Sequence, residues 1–278
     1  MRGIANPLYG SNPVPRVRIP PSPQSASPRR TTEVVTEGEL AWAAGLFDGE
    51  GSVSTYLPPQ RLTRRRQMQV SQGGVAGSPP AVLLRFQAAV SGVGGITGPY
   101  RGYLFYWKTT RNDVIDEIGT SLWPYLGDAK RRQFAKAASE VNRVAPAAQP
   151  VRGTRTERAW AAGLFDGEGC FYLTAARQST GWRGASLYLS QSSGGGPPDT
   201  IRRFHAAIEG LGTLSGPHEP RGPWSRLPQY HWQTSGRHSV SAVLRLLWPW
   251  LGRASRERVI TGAAHLDPDF VAGGPLVA

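Results

Sequence analysis

The hydrophobic and polar positions change period in a fixed order, and the order occurs twice. Leu40 to Phe47 is apolar at nearly every position. A helix on a protein surface shows one polar face, so this segment must be covered on all sides. Thr36 and Glu39 precede it at capping-box spacing, where the hydroxyl accepts from a free N–H and the carboxylate reaches back to the cap. Thr154 and Glu157 stand in the same relation to the apolar run at Ala159–Phe165. The pattern predicts that these helices end at Gly49 and Gly167. Alternating segments follow and predict strands: Ser52–Leu57 and Gln67–Gln72, then Cys170–Ala175 and Ser186–Gln191. Pro79-Pro80 and Pro197-Pro198 predict the starts of second helices, because proline suits a first turn. Further strands are expected around Ile96 and over Leu104–Thr109, and around Leu214 and over Gln229–Thr234. Helices at Asp113–Tyr125 and Ala129–Val141, and at Val240–Trp250 and Ala254–Leu266, close the two series. Each half reads α-β-β-α-β-β-α(α), an α+β class with a four-stranded antiparallel sheet.

The two series are copies of one another. Residues 36–54 read TEGELAWAAGLFDGEGSVS and residues 154–172 read TRTERAWAAGLFDGEGCFY, with 13 of 19 positions alike at an offset of 118. Ser71-Gln72 returns as Ser190-Gln191, Phe86 as Phe204 and Trp107 as Trp232. Trp123-Pro124-Tyr125-Leu126-Gly127 returns as Trp248-Pro249-Trp250-Leu251-Gly252, so the offset has drifted to 125 through loop insertions. Two homologous halves explain the series. The chain divides into an N-terminal arm (1–35), a first repeat (36–144), a linker (145–153), a second repeat (154–266) and a tail (267–278). The arm carries seven Pro, five Arg and one acidic residue, which suits a disordered basic segment. Gly10-Ser11-Asn12-Pro13 and Arg16–Pro20 are also what a transfer-RNA T-arm encodes in two frames, which leaves a later start open as an alternative.

Charge narrows the partner. The 278 residues hold 32 Lys and Arg against 19 Asp and Glu, a formal charge of +13. That balance favours polyanions, nucleic acid above all. Cys170 is the only cysteine, which excludes an intrachain disulfide and a Cys-built zinc site. No apolar run approaches a bilayer span and no secretory signal opens the chain. A soluble, intracellular protein without a membrane partner is expected.

The chemistry concentrates at the ends of the apolar helices. Ala43, Ala44 and Gly45, like Ala161, Ala162 and Gly163, allow two helix backbones to approach closely across a pseudo-two-fold axis. Their C-terminal ends would then bring Asp48-Gly49-Glu50-Gly51 beside Asp166-Gly167-Glu168-Gly169. Helix C-termini are already partly negative, so four added carboxylates are unfavourable unless a cation joins them. Clustered hard oxygen donors suit magnesium. A single D-G-E-G would be an ordinary polar turn; the matched pair argues for a metal site.

W-A-A-G-L-F-D-G-E-G, present twice, resembles the signature of the LAGLIDADG homing endonucleases, and the likeness covers about residues 36–266. The resemblance implies a single-chain pseudo-dimer, a monomer whose two antiparallel sheets form a saddle on double-stranded DNA. It implies Mg2+-dependent hydrolysis of both strands of a long site, with Mn2+ able to substitute, and the intron or intein mobility of the family. Glu50 and Glu168 match the metal-binding acids, and the carbonyls of Gly49 and Gly167 are expected to assist. Asp48 and Asp166 match positions that shape the turn and meet the partner helix. Gln72 and Gln191 match a strand glutamine near the scissile phosphates. Lys130 matches a basic residue near the metals, where the second half has Ser255 between Arg253 and Arg256, so the two strands are expected to be cut unequally. Strand alternation puts Met68, Val70, Leu187 and Leu189 inward. It leaves Gln67, Gln69, Ser71, Tyr106, Lys108, Ser186, Tyr188, Ser190, Gln229, His231 and Gln233 facing DNA. Arg61, Arg64, Arg65 and Arg66 form a basic hairpin with Arg177 and Arg183 as its counterpart, and Arg101, Arg221 and Arg226 join from other loops. The halves differ most here, which implies a non-palindromic site. The competing reading is a non-catalytic binder on the same scaffold, an intron maturase or a transcription regulator, which has no need of the two glutamates.

Overall fold

The computed structural model describes residues 35–75, 77–173, 183–220 and 226–263. The first half contains α1 (Glu37–Glu50), β1 (Gly51–Tyr56), β2 (Arg65–Gly73), α2 (Ala81–Ala89), β3 (Gly95–Tyr100), β4 (Leu104–Thr109), α3 (Asn112–Leu122) and α4 (Asp128–Ser139). The second contains α5 (Thr154–Glu168), β5 (Gly169–Leu173), β6 (Ala185–Ser192), α6 (Asp199–Ala207), β7 (Thr213–His218), β8 (Gln229–Ser235), α7 (Arg237–Leu247) and α8 (Arg253–Ala263). Each half carries one four-stranded antiparallel sheet, in the orders β1-β2-β4-β3 and β5-β6-β8-β7. This is the expected α+β fold of two pseudo-symmetric halves. Residues 145–153 form neither helix nor strand. The arm up to residue 34, the tail, Arg177 and Arg221 lie outside the described residues.

Helices α1 and α5 pack against each other at the centre. Every residue from Ala41 to Asp48 and from Ala159 to Asp166 is buried, as an all-apolar helix requires. Glycine sets the separation. A Cβ on Gly45 would stand 1.9 Å from the Trp160 carbonyl oxygen, and one on Gly163 would stand 1.9 Å from that of Trp42. The contact is backbone against backbone, which no rotamer change relieves. Around this pair the two halves build the same core. Phe47 stacks on Phe86 at 6.3 Å and Phe86 meets the edge of Trp107 at 4.9 Å. Phe165, Phe204 and Trp232 repeat the arrangement at 6.3 and 4.9 Å. Phe86, Trp107, Phe204 and Trp232 are wholly buried, so each sheet turns its apolar face to the helices and its other face outward.

Several local expectations need correction. The central helices do not stop at Gly49 and Gly167; they run through Glu50 and Glu168 and are capped by Gly51 and Gly169. Gly49 and Gly167 are points of close approach within the helix rather than terminators. Thr36 caps α1, accepting from the Glu39 N–H at 3.2 Å. The second cap is Gly153, with Thr154 already helical, so the anticipated Thr154 cap is not formed. Neither glutamate reaches back to its cap: Glu39 pairs with Arg85 and Glu157 with Arg203. Pro80 and Pro198 occupy the cap positions of α2 and α6, one residue before the first turn.

Candidate active site at the paired helix ends

The crossing of α1 and α5 carries the last turn of each helix against the other. A Cβ on Gly49 would stand 2.9 Å from Glu168 Cγ, and one on Gly167 would stand 2.9 Å from Glu50 Cγ. Each glutamate therefore lies on the glycine of the opposite motif, and the two acids share one midline. Gln72 lies beside Glu50 and Gln191 beside Glu168, each favouring the ionised carboxylate. Burial, and the neighbouring Glu168 charge after it, push the Glu50 carboxyl up to about 7. Burial raises Glu168 as well, opposed by Lys130 and Gln191. Lys130, on α4, donates to the Gly51 carbonyl and is lowered by burial against the pull of Asp48, Glu168 and Glu50. The sequence brought these five residues forward separately, and the fold assembles them.

Asp48 and Asp166, each two residues before the glutamate of its motif, tie the halves together. Trp160 Nε1 donates to Asp48 Oδ2 at 2.7 Å, and Trp42 Nε1 donates to Asp166 Oδ2 at 2.8 Å. The same oxygens accept the Gly127 and Gly252 N–H groups at 2.8 and 2.6 Å. Each aspartate thus meets the opposite helix and the Trp-Pro-x-Leu-Gly turn of its own half. Burial raises Asp48 to about 6 and raises Asp166 also. Arg85 and Arg203 stand 3.7 and 3.6 Å from these Oδ2 atoms, and the sequence reading missed both. Their signal was available, since each precedes the matched Phe86 and Phe204 at the offset of 118.

The halves differ around the acids. One cleft of about 950 Å³ is lined by Lys130, Arg132, Gln133, Glu168 and Gln191. Its counterpart, about 890 Å³, is lined by Gln72, Ser255, Glu257 and Arg258. Ser255 is buried beside Asp166 and lowers its carboxyl against the effect of burial. Arg253 pairs with Glu257 at 2.6 Å, and Arg256 donates to the Trp248 carbonyl at 2.8 Å. Neither of these arginines takes the place that Lys130 has in the first half.

The outward sheet faces carry most of the expected set. Gln67, Gln69, Ser71, Tyr106, Tyr188, Ser190, Gln229 and His231 are half-buried, while Lys108 and Gln233 are exposed. Arg61, Arg64, Arg65, Arg101, Arg183 and Arg226 are exposed. His231 lies between Tyr188 at 5.0 Å and His218 at 4.4 Å, so His218 joins this face unannounced. Two residues do not fit. Arg66 is 0% exposed, because it shares the inward parity of Met68 and Val70. Its guanidinium donates to Asn112 Oδ1 at 2.9 Å and to Asp116 Oδ1 at 2.6 Å, so it braces α3 instead of reaching outward. Ser186 has the outward parity but is only 3% exposed, between Tyr172 and Ser235 in the sheet.

No protein-family model and no curated protein matches the sequence. Solved structures match it over most of its length. The LAGLIDADG homing endonuclease I-GzeII, in complex with DNA target, is 13% identical with a TM-score of 0.55, over 84% of this chain and 94% of that one. The LAGLIDADG meganuclease I-AabMI, bound to uncleaved DNA, is 17% identical with a TM-score of 0.55, over 84% and 95%. A double mutant of I-SmaMI is 14% identical with the same TM-score and coverage of 84% and 95%. The chain has the LAGLIDADG homing endonuclease fold. Helices α1 and α5 carry the two W-A-A-G-L-F-D-G-E copies, and Glu50 and Glu168 are their last residues. Among the described residues no helix is long and apolar enough to cross a membrane.

Proposed function

We propose that this protein is a site-specific endonuclease that hydrolyses both strands of a long, non-palindromic DNA duplex, with Mg2+ held between Glu50 and Glu168. The observation that carries the reading is the pairing of the two glutamates, each seated on the glycine of the opposite motif. A binder gains nothing from two desolvated like charges at one place. The donor set fits a hard divalent cation: two carboxylates, with the Gly49 and Gly167 carbonyls in the same turns. Among the described residues no group of three or more His, Cys, Asp or Glu assembles, so DNA phosphate and water oxygens would complete the shell. Bound there, Mg2+ would supply charge neutralisation at phosphate and a water of lowered pKa. Gln72 and Gln191, beside the two carboxylates, would help to orient them. Lys130 holds a partly desolvated cation beside the acids, where phosphate charge would build up in the transition state.

The sheet faces serve as the reading surface. Gln, Ser and Tyr side chains suit base edges, and the arginines of the flanking loops suit phosphates. The pseudo-two-fold of the single chain would set one acid against each strand, and the protein would act as a monomer. The DNA-bound states of I-GzeII and I-AabMI, which share the fold, support a duplex partner. Selection of cleaved products from a randomised duplex library in Mg2+ tests the proposal. It should return one asymmetric sequence family broken on both strands; recovery of no broken duplex at any protein concentration would remove the endonuclease reading.

A further inference from the structure

Two clamps related by the pseudo-two-fold flank the acids and have no part in the chemistry above. Arg85 donates to both oxygens of Glu39, at 3.1 and 2.8 Å, and to the Trp250 carbonyl of the other half at 2.7 Å. Its guanidinium lies 3.9 Å over the Trp42 ring, whose N–H holds Asp166. Arg203 repeats each contact. It donates to both oxygens of Glu157 at 2.8 Å and to the Tyr125 carbonyl at 2.8 Å, and lies 3.8 Å over the Trp160 ring. A planar guanidinium that is bidentate, stacked and bonded to a carbonyl has one orientation.

We propose that each arginine is a positioning residue for the glutamate of the opposite motif, Arg85 for Glu168 and Arg203 for Glu50. Arg85 and its stacked Trp42 grip Asp166 and the turn at Trp250. Asp166 occupies the last turn of α5, two residues before Glu168, and a helical turn moves as a unit. Arg203 and Trp160 hold Asp48 and the turn at Tyr125, and so the last turn of α1. The acids are thus placed from across the axis, and damage to one clamp is local to one acid. The inference rests on the endonuclease reading, because the acids are taken to serve one strand each.

Strand-resolved nicking of a supercoiled plasmid carrying a library-selected site tests it. Arg85→Met should slow one strand by about tenfold or more and leave the other nearly unchanged, and Arg203→Met should slow the opposite strand. Trp42→Phe and Trp160→Phe retain an aromatic face but lose the indole N–H, and should give the same two strand-selective defects. Terbium luminescence without DNA reads the acid pair directly, and each clamp variant should weaken terbium binding. Equal slowing of both strands, or unaltered terbium affinity in all four variants, would overturn the positioning role. A wild-type protein that cuts nothing would instead remove the endonuclease reading.

Discussion

At the residue scale the acids are costly to the folded protein when no cation is present. Glu50 ionises at about 7 because burial and Glu168 both oppose its charge. Its folded value lies above the ordinary 4.5, so its contribution to stability is complete below 4.5 and is lost as pH rises through 7. Metal-free Glu50→Gln should therefore melt higher than wild type at pH 8, by about 2–4 °C for each ~1 kcal/mol relieved, and the difference should shrink at pH 5. Millimolar Mg2+ at pH 8 should raise the wild-type melting temperature and close the gap, since a ligand bound only to the native state stabilises it. Scanning calorimetry of both proteins in chelator and in Mg2+ measures this. Residue identity alone misled in one instance. Arg66 sits in a run of arginines and reads as a phosphate contact, yet the parity of Met68 and Val70 already turned it inward.

At the element scale the crossing of α1 and α5 decides whether the acids meet. Alanine in place of glycine usually stabilises an ordinary helix by about 1 kcal/mol. Here the sign should reverse, because the new methyl would meet a backbone oxygen at 1.9 Å. Gly45→Ala or Gly163→Ala should cost about 3 kcal/mol, a fall of roughly 10 °C in melting temperature. Thermal unfolding with an exposed-glycine control checks it, and an unchanged or raised midpoint would refute the close crossing. This scale was the most legible one. The repeat at an offset of 118 exposed the doubling, the small residues exposed the interface, and strand parity exposed the sheet faces. What escaped depended on tertiary partners. Arg85 and Arg203 carry no local periodicity, and their roles appear only when the Trp250 and Tyr125 carbonyls arrive from the other half. The helix ends were misread for the same reason, since glycine marks a terminus as readily as a crossing.

For the whole molecule, the two halves are alike in fold and unlike in chemistry. Lys130 stands beside the acids in one half, while the other has the neutral Ser255, buried beside Asp166. A cation next to a phosphate in a site of low polarity stabilises the charge of the transition state, so the strand served by Lys130 should be cut first. Rapid-quench kinetics with strand-specific labels should show a nicked intermediate. Lys130→Met should slow the first strand by about 100-fold, the loss typical of one electrostatic donor, and Ser255→Lys should narrow the difference between strands. Equal rates in the wild type would contradict the asymmetry.

The central claim is that Glu50 and Glu168, joined at the midline by the helix crossing, cut DNA together. The most direct test is strand-resolved cleavage of a selected site in Mg2+ by wild type, Glu50→Gln and Glu168→Gln, with duplex affinity measured alongside. Wild type should break both strands, and each glutamine variant should bind the duplex nearly as well and make no double-strand break. A variant that still breaks both strands at the wild-type rate would contradict the account.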